Sequence, residues 1–91
     1  MLDDLDEMIR EAFRIALDEI GLGGSVRVTD VLPYPDSDRF AIHLRKQDGQ
    51  YLYPHIDPTE VLSDIGGGRL TVDAFKKFAH RELQTHFPNS Y

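Results

Sequence analysis

The chain has 91 residues, and residues 1–91 are the size of a single domain. Hydrophobic residues make up 41% and charged ones 29%, a globular balance that argues against whole-chain disorder. There is no cysteine, which excludes a disulfide scaffold, a cysteine zinc site and a thiol nucleophile. The formal net charge of −6 argues against a general nucleic-acid-coating protein.

No run approaches the roughly 18–20 apolar residues of a membrane span. The opening MLDDLDEMIR is acidic and amphipathic, unlike a secretory or transit signal. With no cysteine, these features predict a cytoplasmic protein.

Leu2, Leu5, Ile9, Ala12, Phe13, Ala16, Leu17 and Ile20 recur at the spacing of one helix face. Asp3 or Asp4 caps this helix, Asp4 and Glu7 having capping-box spacing, and Gly21 ends it. Gly23 and Gly24 lead into a strand over residues 25–32, where Val26 and Val28 alternate with Arg27 and Thr29. The alternation slips at Val31 and Leu32, so a bulge sits near Asp30 or the strand stops there. Pro33-Tyr34-Pro35-Asp36-Ser37-Asp38 reads as a loop whose prolines hold Tyr34 in a fixed place.

Residues 39–46 alternate, with Phe40, Ile42 and Leu44 on one side and Ala41, His43 and Arg45 on the other. Asp48-Gly49 predicts a two-residue type I′ turn. That turn pairs Leu44 with Tyr53 and Ile42 with His55. It puts Tyr51, Tyr53 and His55 on the core face and Leu52 outside beside Arg45. Pro54 ends regular pairing or marks an edge strand.

Asp57-Pro58-Thr59-Glu60 predicts a second helix, with Asp57 as cap, Pro58 first and Glu60 closing a capping box. Val61, Leu62 and Ile65 supply its buried side. Gly66-Gly67-Gly68 ends it, and this triplet fits neither glycine-rich phosphate motif. A last helix starts at Thr71, with Leu70 and Phe75 as a hydrophobic staple. Phe75, Phe78, Ala79 and Leu83 form its core stripe. Phe87-Pro88 ends it, leaving a short tail.

The order α-β-β-β-α-α defines a two-layer α+β domain, a three-stranded antiparallel meander covered on one face by helices. Double-stranded-RNA-binding domains share the α-β-β-β-α order, but their basic helix start is missing here. Thr71-Val72-Asp73 opens the corresponding helix.

His43, His55, His80 and His86 lack the convergent spacing of a zinc site, so no metal centre is expected. Ser25, Ser37, Ser63 and Ser90 stand in no nucleophile motif, and Asp36 with Asp38 falls short of a calcium loop. No catalytic residue or cofactor is expected. Charge is more informative. Residues 1–20 hold seven acids against two bases, and residues 66–91 hold four bases against two acids. The stripe Lys76, Lys77, His80 and Arg81 is the candidate partner-binding surface.

A second patch, Arg27, His43 and Arg45, points away from the apolar face and suits an anionic ligand or RNA phosphates. With Tyr51 and Tyr53 expected on the other face it lacks stacking rings, so nucleic acid is disfavoured. The expected function is a small interaction module that binds a protein or a second copy of itself. Two open sheet edges favour the homodimer. The alternatives are an anion- or RNA-binding domain using the outer sheet face, and an acidic nucleic-acid mimic acting as an inhibitor.

Overall fold

The structure is a computed structural model that describes residues 2–91, with side chains from residue 5 onward. Leu2, Asp3 and Asp4, expected as core residue and caps, have side chains outside the described residues. Helix α1 (Leu2–Glu19) buries Ile9, Ala12, Phe13, Ala16 and Leu17, the expected face. Its last turn closes with Leu22 N–H on the Leu17 carbonyl at 2.8 Å and Gly21 N–H on the Asp18 carbonyl at 3.1 Å. This pairing needs a left-handed residue, supplied by Gly21 at φ 80°, and folds Leu22 back onto the core.

Four strand segments follow: β1 (Val26–Pro33), β2 (Phe40–Lys46), β3 (Tyr51–Leu52) and β4 (His55–Ile56). All pairings are antiparallel and β2 is central. β3 and β4 keep one register against β2, pairing Leu52 with Leu44, His55 with Ala41 and Ile56 with Phe40. Between them Ile42 N–H donates to the Pro54 carbonyl at 2.8 Å, and proline has no N–H to return. The third strand of the meander is thus one strand split by Pro54.

In β1, Val28 pairs with Leu44 and Asp30 with His43, so Thr29 is the extra residue of a bulge. Its hydroxyl donates to the His43 carbonyl at 3.2 Å. The bulge resets the alternation. Val26 and Val28 before it and Val31 after it all join the core, while Leu32, opposite Ala41, stays on the outside.

The second hairpin corrects the expected register. Gly49 N–H donates to the Lys46 carbonyl at 2.9 Å, and Lys46 N–H donates to the Gln50 carbonyl at 2.8 Å. Gly49 has φ 90°, but among the described residues no non-glycine residue has positive φ, so Asp48 does not meet the type I′ requirement. The loop is therefore three residues, Gln47-Asp48-Gly49, a type I turn followed by a left-handed glycine. The Asp48 carboxylate steadies it by accepting from Gln50 N–H at 2.9 Å. One added loop residue inverts every face beyond it. Leu52, expected outside, packs against the core, and Pro54 and Ile56 are buried. Tyr51, Tyr53 and His55, expected inside, lie on the outer face. The inner set is then wholly apolar, and two phenols and an imidazole are spared burial without partners.

Helix α2 (Pro58–Asp64) starts as expected, the Asp57 carboxylate accepting from Thr59 N–H at 2.9 Å. Glu60 does not close a capping box; its carboxylate accepts from Arg81 instead. Val61 is fully buried, whereas Ile65 is exposed because the helix ends at Asp64 and the chain turns away at Gly66. Helix α3 (Val72–His86) is capped by the Thr71 hydroxyl, which accepts from Ala74 N–H at 3.2 Å. It buries Phe75, Phe78, Ala79 and Leu83, and a 3-10 turn at Pro88–Ser90 follows it. α1 and α3 pack on each other, and their apolar sides share one core with the inner face of the sheet. No described helix is long and apolar enough to cross a membrane.

Two substitutions test the local chemistry. Gly49→Ala meets open space but must hold φ 90°, so it should cost about 1 kcal/mol or more, read as a lower denaturant midpoint. Asp57→Ala removes the α2 cap and should cost about 1 kcal/mol by the same measurement.

Candidate functional site

The face of the sheet turned away from α1 and α3 is built from three cross-strand rows. The first holds Arg27, Arg45 and Tyr51. The second holds Asp30, His43 and Tyr53, with the Tyr53 ring edge-on to His43 at 4.9 Å. The third holds Leu32, Ala41 and His55. Period-two alternation puts these side chains on one side, and the three-residue turn decides that the tyrosines join them.

The tyrosines are available. Tyr51 is 44% exposed and Tyr53 51%. Their ring planes are parallel within 8°, with centroids 6.2 Å apart. At the far end the Tyr34 hydroxyl is hydrogen-bonded to His55 Nε2 at 2.6 Å, and the Arg39 guanidinium lies 5.8 Å from the Tyr34 ring centre. Tyr34 N–H donates to the Arg39 carbonyl at 3.0 Å and Arg39 N–H to the Ser37 hydroxyl at 3.2 Å, so the loop holds Tyr34 in place. His55 N–H, on the outer edge of β4, donates to the Glu82 carboxylate at 3.2 Å.

Electrostatics sets this face apart. Arg27 and Arg45 are direct cross-strand partners. Like charges so placed, about 5 Å apart at Cβ, destabilise a sheet. Among the described residues no carboxylate stands within ion-pair distance of Arg27, Arg39, Arg45 or Lys46. A shallow pocket of about 280 Å³ at that end is lined by Gly24, Ser25, Arg27, Arg45, Lys46 and Gln47. Asp30 is the acid on the same face, one row away.

The helical stripe is different. Lys76 pairs with Glu19 at 3.1 Å, Lys77 with Asp64 at 2.8 Å, and Arg81 with Glu60 while lying over the Phe78 ring. His80 bridges Glu19 at 2.8 Å and the Tyr91 hydroxyl at 2.6 Å. Glu19 at the end of α1 and Glu60 and Asp64 of α2 thus meet the bases of α3 within the chain. Hydrogen bonds from His80 and then Lys76 hold the Glu19 carboxyl below its usual range. Burial, and then the nearby Glu19 charge, push the Tyr91 phenol up. His86 is exposed in the last turn of α3. Among the described residues no three histidine or carboxylate side chains cluster to hold a metal ion.

Arg27, His43 and Arg45 stand together as the alternation implied. Tyr51, Tyr53 and His55, expected on the core face, join the same side, and the loop holds Tyr34 against His55. The signal for them was present in the wholly apolar alternative Leu52-Pro54-Ile56. No protein-family model, curated protein or solved structure matches this chain.

A depressed carboxyl pKa stabilises the fold above the usual carboxylate range, and that stabilisation is lost as pH falls through the depressed value. Urea midpoints should therefore drop as pH is lowered below the ordinary glutamate range, about 4.3. Glu19→Gln should lower the midpoint at neutral pH and flatten that acid limb.

Proposed function

We propose that the chain acts by binding, through the outer face of its sheet, and that the partner received there is anionic. The observation that carries this reading is the unmatched Arg27–Arg45 pair. Lys76, Lys77 and Arg81 of α3 each have a carboxylate partner within the chain, whereas the cations of the sheet have none among the described residues. Opposed arginines cost the free fold stability, and an anion seated between them turns that repulsion into two attractions. Lys46 and the pocket beside the pair add a third cation and room for the group.

Tripolyphosphate is a suitable probe because it carries charge and little else. Titrated into the isotopically labelled protein, it should shift amides around residues 24–28, 43–47 and 51–53. Arg45→Gln should raise the stability of the free protein by a few tenths of a kcal/mol. The same variant should weaken tripolyphosphate binding at least about tenfold, equivalent to about 1.4 kcal/mol. Shifts confined to the helices, or unchanged binding by Arg45→Gln, would refute the assignment.

A further inference from the structure

We infer that the anionic partner is single-stranded nucleic acid, its bases stacking on Tyr51 and Tyr53 and a phosphate lodging between Arg27 and Arg45. This rests on the outer-face reading above and adds the chemistry of the occupant. A nucleic-acid strand offers two things in alternation, a negative phosphate and a flat apolar base. The face offers the complement of both side by side. Arg45 and Tyr51 are direct cross-strand neighbours, and Arg27 flanks Arg45 on the other side. Tyr53 follows Tyr51 two residues on with its ring parallel, so stacking surface continues along the strand. His43 stands edge-on to Tyr53 and extends the aromatic area.

Other occupants fit less of this. An acidic peptide would satisfy the arginines but leave half-exposed tyrosine rings without a planar partner. A second copy would offer the arginine pair only Asp30 as an acid from these three rows, and no planar base to stack on the tyrosines. A duplex keeps its base faces inside its own stack, and among the described residues this face carries no helix that could enter a groove. Base stacking on aromatic rings beside a cationic track is how sequence-tolerant single-strand sites work. The net charge of −6 does not oppose it. The acidic helix α1 lies in the layer behind the sheet. A helix is about 10 Å thick, and exposed charges are screened over about 8 Å at physiological salt.

Fluorescence anisotropy with labelled oligouridine of about ten nucleotides tests this, as RNA and as its 2′-deoxy counterpart. Binding of either strand supports the inference, and tighter binding of the RNA adds a 2′-hydroxyl contact to it. Tyr51→Ala and Tyr53→Ala should each weaken binding by about fivefold to a hundredfold. Tyr51→Phe and Tyr53→Phe should retain it, which keeps the test decisive if an alanine variant fails to fold. Arg27→Ala should reduce the slope of log affinity against log salt by about 0.7. An oligouridine–oligoadenosine duplex should compete poorly.

An oligoglutamate probe separates the two readings. If oligoglutamate binds through Arg27 and Arg45 while the strands bind no better and ignore the tyrosines, the nucleic-acid inference falls and the outer-face reading stands. If neither probe binds, both fall. If Tyr51→Ala abolishes self-association in sedimentation and no strand binds, the occupant is a second copy and the inference is overturned.

Discussion

Gly49, held at φ 90° at the end of a three-residue loop, sets which way the last strand faces. A pleated strand has only two sides, so the length of a turn chooses between two complete sets of side chains. Here the choice places Leu52, Pro54 and Ile56 against the helices and leaves Tyr51, Tyr53 and His55 in solvent. The bulge at Thr29 makes the matching adjustment in the first strand. Without it, Asp30 and Leu32 would turn inward and Val31 outward. The core and the outer surface are therefore two products of the same pair of backbone irregularities.

Charge is partitioned along the same division between layers. On the helical side, Glu19 of α1 and Glu60 and Asp64 of α2 reach the bases of α3. Exposed pairs of this kind contribute little stability singly. Lys76, Lys77 and Arg81 thus each have an acid within reach before any partner arrives. On the outer sheet face Asp30 is the acid of the three rows, and it stands outside ion-pair distance of Arg27 and Arg45. An acidic chain can thus carry a locally cationic surface, because screening makes the neighbourhood, and not the total, decide what approaches.

The helices were legible because their signals are redundant. Period and stop agree in α1, where the stripe ending at Leu17 is followed by Gly21, and period and cap agree in α3, from Thr71 to Phe75. The outward direction of Arg27, His43 and Arg45 followed from clean alternation in the first two strands. The tyrosines did not follow, because Asp48-Gly49 is compatible with either loop length and both registers alternate. Weighing Leu52, Pro54 and Ile56 as a core set would have broken the tie, but Pro54 suggested a break and not a buried position. The pairing of Glu19 with Lys76 joins residues 57 apart, and no local pattern reports it.

Both sheet edges are interrupted. β1 carries the Thr29 bulge and ends in proline, and the opposite edge carries Pro54 with the His55 N–H already given to Glu82. A foreign strand arriving at either side meets a gap in the ladder within a few residues. Templated growth into fibrils requires an unbroken row of donors and acceptors that each added chain can copy. This sheet offers no such row to copy among the described residues, so its aromatic outer surface is displayed between edges that discourage strand-by-strand growth.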